Sequence, residues 1–257
     1  MGTVTKGRKK KSVLPKRPWP YRAVKKVRGR IDRWIARSSL IENSPQIDPA
    51  AFPWTRELAA NWRDIRAEAE ALLPKMDAVP PLQQVSPDHR RIAQSDLWKS
   101  FFLWGYGYRL EQNIARCPKT AALVENIPDL NSAFFSILLP GTHIKRHRGP
   151  TKALVTCHLG LVVPEGDTVQ MTLDGEQVGW REGEWLVFDD TYRHEVHHRG
   201  DTPRIILLVQ VKRPLKAPGR QIADLFLAGI RRSPFVQEGR RNMAAWDQAM
   251  KAADREG

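Results

Sequence analysis

Residues 133–214 read AFFSILLPGTHIKRHRGPTKALVTCHLGLVVPEGDTVQMTLDGEQVGWREGEWLVFDDTYRHEVHHRGDTPRIILLVQVKRP, and this stretch decides the fold. Its apolar runs AFFSILL, ALVTCHLGLVV, VQMTL, EWLVFD and RIILLVQV are short and rich in Val, Ile, Leu and Phe. Turn residues separate the runs, among them Pro140-Gly141 and Asp174-Gly175. Short, regularly spaced strands with turns between them predict a mainly β fold, a sandwich or a barrel. Asp174-Gly175 between two runs predicts a tight β-hairpin.

Histidines give this stretch its chemistry. Six of the seven lie within it: His143, His147, His158, His194, His197 and His198. In a jelly roll, residues at the ends of neighbouring strands meet, so we expect His147 and His194 to face one cavity. Imidazole binds iron, copper, zinc and nickel, and two histidines with a carboxylate are typical of non-haem Fe(II) oxygenases. Taken one at a time, however, each histidine is better explained as a surface or loop residue, as we expect of His89.

The sequence motifs around the histidines are more specific than the histidines themselves. They are HRGPTK (147–152), CHLGLVVP (157–164), WREGEWLVFDDTYRHEV (180–196) and RIILLV (204–209). In order and spacing they resemble the aspartyl/asparaginyl β-hydroxylase family, which includes bacterial lipid A hydroxylases. With weaker upstream matches, the resemblance covers residues 50–215. It implies a mainly β protein with flanking helices, built on a double-stranded β-helix (a jelly roll, cupin-like), that uses Fe(II), 2-oxoglutarate and O2.

Carried over residue by residue, the resemblance implies that His147 and His194 are the catalytic iron ligands. It also implies a set of residues that hold 2-oxoglutarate: Trp98, Ser136, His158 and Arg204. An Arg is suited to this role because its planar fork grips a carboxylate with two parallel hydrogen bonds, which Lys cannot reproduce. For the walls of the dry cavity we expect the apolar residues Phe134, Phe135, Leu159, Leu161 and Phe188.

Two positions depart from the family pattern. Gly149 stands where the lipid A hydroxylases carry the third iron ligand, an Asp, although the aspartyl hydroxylases also have Gly there. Thr156 stands where the family often has an Arg that assists 2-oxoglutarate binding. Asp189 or Asp190 could donate the missing carboxylate, but we favour a turn or supporting role for them. We also expect that Gly149→Asp would supply the ligand and preserve iron binding.

Charge is concentrated at the N-terminus. Residues 1–40 contain 14 Lys or Arg and one acid, a net charge of +13, while the whole chain has +14. Apolar residues recur there at helical spacing: Val24, Val27, Ile31, Trp34 and Ile35. A basic amphipathic helix predicts binding to an anionic membrane surface. A solubilising tail followed by a helix packed on the domain stays open, whereas nucleic acid is disfavoured because no recognition fold accompanies the charge.

We therefore divide the chain into a basic leader (1–45), a dioxygenase domain (46–215) and a helical extension (216–257). Two cysteines give no disulfide framework, and no apolar run is long enough to span a bilayer. The expected location is the cytoplasm, at the inner face of the membrane. The expected substrate is the acyl chain of a bacterial membrane lipid of the lipid A or ornithine lipid type. Aspartyl or asparaginyl side chains, or a non-catalytic metal-binding jelly roll, are the alternatives.

Overall fold

The computed structural model describes residues 19–86, 91–93 and 95–256, and it is built on two antiparallel sheets. The strands are β1 Gln46–Ile47, β2 Trp98–Gly105, β3 Tyr108–Arg109, β4 Leu130–Leu138, β5 His143–His147, β6 Leu154–Val162, β7 Val169–Leu173, β8 Glu176–Val178, β9 Trp185–Phe188, β10 His194–His198 and β11 Arg204–Lys212. The large sheet has the order β1-β9-β6-β11-β4-β2-β3, and the small sheet has the order β5-β10-β7-β8. Together they form the double-stranded β-helix that the sequence predicts.

Helices flank the sheets. They are α1 Trp19–Ser38, α2 Thr55–Ala60, α3 Trp62–Glu70, α4 Leu82–Val85, α5 Glu111–Arg116, α6 Pro118–Glu125, α7 Gly219–Arg231 and α8 Pro234–Glu256, with 3-10 turns at Pro49–Ala51 and Leu73–Ala78. Leu58 of α2 and Ile65 of α3 pack on the outer face of the large sheet. Apolar residues recur at helical spacing over residues 54–73, but the segment forms two helices because the backbone leaves helical geometry at Asn61.

Strand alternation separates two cores. In β4, Phe135 and Ile137 face the helices, whereas Phe134 and Leu138 face the small sheet. The inner core continues on the small sheet with Met171 and other apolar residues. Because successive side chains of a strand point to opposite faces, each long strand of the large sheet contributes every second residue to the space between the sheets. That space holds the candidate site.

The apolar runs of the sequence correspond to β4, β6, β7, β9 and β11, and the Asp174-Gly175 hairpin joins β7 to β8 as predicted. Both turn residues have positive φ, as a two-residue hairpin of this kind requires. Hydrophobicity did not reveal β5 and β10, whose sequences HIKRH and HEVHH are polar. These are the strands that carry His147 and His194.

The described part of α1 corrects one expectation about the leader. Ile35 is fully buried, and Ile31 packs beside it in a small core that α1 forms with α7 and Leu215. These two apolar side chains therefore face the protein and not a membrane, while Trp34 stays half exposed at 51%. Residues 1–18 and the side chains of Val24 and Val27 lie outside the described residues, as does His89. Among the described helices, none is long and apolar enough to cross a bilayer.

Candidate active site

His147 and His194 meet at the edge of the small sheet. They are direct cross-strand partners in the β5–β10 ladder, and their ring centroids lie 4.0 Å apart. A β-bulge follows this pair, so that His194 opposes His147 but Val196 opposes Ile144. The extra residue in β5 lets both Ile144 and His147 turn inward, although strict alternation would put them on opposite faces.

Backbone carbonyls orient both rings. His147 Nδ1 lies 2.8 Å from the carbonyl oxygen of Lys145, and His194 Nδ1 lies 3.0 Å from that of Tyr192. A proton on each Nδ1 leaves the lone pair of each Nε2 for a metal, the arrangement that metal-binding histidines use. Burial lowers the pKa of His194, which keeps this ring in the neutral form that a metal requires. The donor set therefore fits Fe(II).

Arg204 and His158 form a pocket of unsatisfied donors. Arg204 is 2% exposed, it lies over the ring of Trp180 at 4.6 Å, and its Nε and Nη1 have no hydrogen-bond partner. Trp180 Nε1 donates to His158 Nδ1 at 3.1 Å, so the proton of a neutral His158 sits on Nε2, which also has no partner. Burial, followed by the charge of Arg204, lowers the pKa of His158 well below its ordinary value. Buried donors without acceptors indicate an anion site.

Trp98 and Ser136 lie on the same inner face. Trp98 Nε1 donates to Ser136 Oγ at 3.0 Å. Since that oxygen accepts the indole N–H, the hydroxyl proton of Ser136 remains to donate. The six residues implied by the resemblance all line one cavity of about 110 Å³, and its walls also include Phe102, Phe134 and Phe188. Three of the expected wall residues belong elsewhere, because Phe135, Leu159 and Leu161 point to the outer core.

Asp190 fills the space that Gly149 leaves. A Cβ placed on Gly149 would overlap the carboxylate of Asp190, and the backbone N–H of Gly149 donates to the carbonyl of Asp190 at 2.6 Å. Gly149→Asp could therefore supply a ligand only if the side chain of Asp190 moved, and its effect on iron binding stays a prediction. Burial first, and Asp189 second, raise the pKa of Asp190 to about 7. Its Oδ1 has no partner, and only Thr156 Oγ1, at 3.4 Å, reaches Oδ2.

Asp189 has the structural role that we favoured. It is fully buried in an ion pair with Arg213, whose Nη2 lies 2.6 Å from Oδ2, and Lys152 binds the same oxygen. Its other oxygen accepts from the backbone N–H of Thr191 at 3.0 Å. Asp189 therefore fixes the turn before β10 and leaves Asp190 as the carboxylate that lines the cavity.

Sequence reasoning missed Trp180 as a working part of the site. Trp180 contacts both Arg204 and His158, and its only signal was its place at the start of a quoted motif. Three further histidines do not line the cavity. His198 is buried outside it, and His143 and His197 face outward from the small sheet, with ring centroids 4.1 Å apart.

Comparison with known proteins agrees with this architecture. Residues 59–214 match the family model described as aspartyl/asparaginyl beta-hydroxylase. The ornithine lipid ester-linked acyl 2-hydroxylase of Rhizobium tropici is 40% identical over 211 residues, which cover 82% of this chain and 75% of that protein. The human aspartyl/asparaginyl beta-hydroxylase is 33% identical over 168 residues, covering 63% of this chain but only 21% of the human protein.

Among solved structures, a Pseudomonas putida prolyl-4-hydroxylase aligns with 60% of this chain and 88% of its own, at 19% identity and a TM-score of 0.36. The family model extends over all the described residues that line the cavity, from Ser86 to Gln210. The chain therefore belongs to the aspartyl/asparaginyl β-hydroxylase family.

Proposed function

We propose that this chain is an Fe(II)- and 2-oxoglutarate-dependent dioxygenase that hydroxylates the acyl chain of a membrane lipid of the ornithine lipid type. The observation that carries the dioxygenase assignment is the buried, unpaired Arg204 with His158 beside it, in the cavity that also holds His147 and His194. Bound Fe(II), with 2-oxoglutarate and O2, would supply the oxidant that inserts one oxygen atom into a C–H bond, while 2-oxoglutarate becomes succinate and CO2.

Each residue has a distinct task in this proposal. His147 and His194 hold the metal through Nε2, with their Nδ1 protons fixed by backbone carbonyls. The guanidinium of Arg204 and the Nε2–H of His158 bind a carboxylate of 2-oxoglutarate. Ser136, positioned by Trp98, adds a hydroxyl donor on the same face. The cosubstrate thus neutralises a buried charge that has no partner in the protein.

The lining of the cavity supports a substrate group without negative charge. Of the described lining residues, Arg204 is the only Lys or Arg, and the cosubstrate uses it. The buried side chain of Asp190, in its ionised form, would repel a second carboxylate. Apolar side chains, among them Phe102 and Phe134, form much of the remaining wall. An acyl chain satisfies these conditions better than an aspartyl side chain, and the Rhizobium relative is named for hydroxylating the acyl group of a lipid.

Lipid mass spectrometry tests the assignment. Cells that make ornithine lipid should accumulate a species heavier by one oxygen atom when they express the chain, and Arg204→Met should abolish it. Modified lipid A in place of ornithine lipid would keep the lipid assignment and change the head group. Hydroxylated Asp or Asn in peptides, with unmodified lipids, would instead favour the aspartyl hydroxylase activity. Failure of the purified protein to form succinate would favour a non-catalytic jelly roll.

The outer side of α1 and α7 is the surface that we assign to an anionic membrane. The two helices pack together, with the C-terminus of α1 beside the N-terminus of α7, where Ser38 lies against Gly219. On their solvent sides Trp34 is 51% exposed and Leu225 is 77% exposed. Arg30 is exposed near Trp34 on the outer side of α1. Aromatic and aliphatic side chains beside cations are suited to a charged lipid surface.

Point variants test this surface better than removal of residues 1–40. Such a deletion would also remove Ile35 from its core and Asp32 from its hydrogen bond with the backbone of Lys152. Trp34→Ser with Leu225→Ser should reduce sedimentation with anionic vesicles and leave succinate formation without lipid unchanged. The double variant Arg30→Gln/Arg33→Gln should weaken binding to anionic vesicles. The control Arg63→Gln/Arg181→Gln removes the same charge from another part of the surface and should weaken it less. Equal effects would refute a localised surface.

A further inference from the structure

Three metal-binding side chains meet on the outer face of the small sheet. His143 of β5 is the direct cross-strand partner of His197 of β10, and Glu195 lies two residues before His197 on the same face. The nitrogen and oxygen ligand atoms of the three all lie within 4.8 Å of one another. The cluster is distinct from the active site, because in β10 His194, Val196 and the buried His198 point inward while Glu195 and His197 alternate outward.

The geometry is close to that of a tetrahedral metal site. His143 Nε2 lies 2.8 Å from Glu195 Oε1, and His197 Nε2 lies 3.2 Å from the same oxygen. Metal–ligand bonds of about 2.0–2.1 Å at tetrahedral angles separate neighbouring ligand atoms by about 3.3 Å. Small side-chain rotations would therefore open room for an ion between these atoms. The strand backbones, which the ladder holds in register, need not move.

We infer that His143, Glu195 and His197 form a second metal site, for a borderline-soft divalent ion such as Zn²⁺. Two neutral imidazoles and one carboxylate are ligands that Zn²⁺ prefers, and water would complete the tetrahedron. Binding would replace the contacts that the two Nε2 atoms now make with Glu195, and each neutral ring would carry its proton on Nδ1. The ion would tie β5 to β10 from the face opposite to His147 and His194, so it would stabilise the two strands that position the active-site pair.

Arg146 sets the affinity of this outer site. Its Nε lies 3.3 Å from Glu195 Oε2, and its side chain is 64% exposed. The guanidinium occupies the second carboxylate oxygen and repels an incoming cation, so it competes with the metal. Removing Arg146 should therefore tighten Zn²⁺ binding several-fold without touching any of the three ligands. If Zn²⁺ did not bind through Glu195, removing Arg146 would not tighten Zn²⁺ binding.

The test is a Zn²⁺ titration of the full chain, stripped with a chelator, against a chromophoric competitor. His143→Ala/His197→Ala should bind one equivalent fewer than wild type, and His147→Ala/His194→Ala should retain the outer equivalent. Glu195→Gln should weaken that equivalent, and Arg146→Ala should tighten it. Gln170→Ala is the matched control, because Gln170 neighbours His197 across the β7–β10 ladder but offers neither imidazole nor carboxylate.

Thermal unfolding supplies a second readout. Zn²⁺ should raise the melting temperature of wild type and of the Gln170→Ala control. The part of this rise that comes from the outer site should be absent from the double variant His143→Ala/His197→Ala. Both substituted histidines are more than two-fifths exposed, so the variant should fold. The inference is overturned if this variant binds as many equivalents as wild type, or if Arg146→Ala leaves the affinity unchanged.

Discussion

Arg204→Met should stabilise the ligand-free protein while it removes 2-oxoglutarate binding. Burial lowers the pKa of Arg204 from its ordinary, much higher range to about 9, and at about 1.4 kcal/mol per pKa unit keeping the guanidinium charged costs on the order of 5 kcal/mol. The cation–π contact with Trp180 offsets about 2 kcal/mol of this free-energy cost. Met keeps the unbranched stem and removes the charge, so we expect the free energy of unfolding to rise by about 2–3 kcal/mol.

Urea denaturation of both proteins, in chelator and without 2-oxoglutarate, measures this difference. Because the pKa of Arg204 is lowered on folding, the cost is complete below pH 9 and is relieved only as the pH rises above about 9. The gain should therefore be the same at pH 6 and pH 8. Adding 2-oxoglutarate to protein already loaded with a redox-inert metal should stabilise wild type further and give the metal-loaded variant no additional stability. A variant less stable than wild type would refute the claim that Arg204 is unpaired.

Three further predictions follow from the same site and its surroundings. His147→Ala and His194→Ala should each abolish succinate formation in a protein whose circular dichroism is unchanged; full activity in either would exclude the iron assignment. Gly149→Ala should lower the free energy of unfolding by about 1–3 kcal/mol through overlap with Asp190, and Asp190→Gly should restore it in the double variant; additive losses would contradict the overlap. The pKa of Asp190 is raised to about 7, so protonated Asp190 should stabilise wild type relative to Asp190→Asn, fully so below pH 4. This advantage should disappear as the pH rises through 7. If the difference in free energy of unfolding between the two proteins did not change between pH 4 and 8, the burial of Asp190 would be contradicted.

Strand periodicity explains why much of the site was predictable. Trp98, Ser136, His158 and Arg204 lie on four adjacent strands of the large sheet, and each falls on the inward phase of its own strand. The sequence neighbours of Ser136, Phe135 and Ile137, are large apolar residues of the outer core. A two-residue period fixes which side chains share a face once the strands are identified.

Other features could not be predicted from strand periodicity. The bulge in β5 turns His147 inward, and strict alternation from His143 would have placed it outward. Asp190 reaches the cavity from a turn, and its position depends on the absent side chain of Gly149, far away in sequence. The apolar face of α1 could be assigned to protein or membrane only once its partner α7 was known, because both environments favour Ile35.

The most direct test of the proposed chemistry is a reaction of the purified chain with Fe(II), 2-oxoglutarate and ornithine lipid under ¹⁸O₂. The account predicts one ¹⁸O atom in the acyl chain of the product lipid and the other in succinate, with one succinate formed for each lipid hydroxylated. Product that forms equally well without 2-oxoglutarate, or lipid that gains no ¹⁸O while succinate accumulates, would contradict it.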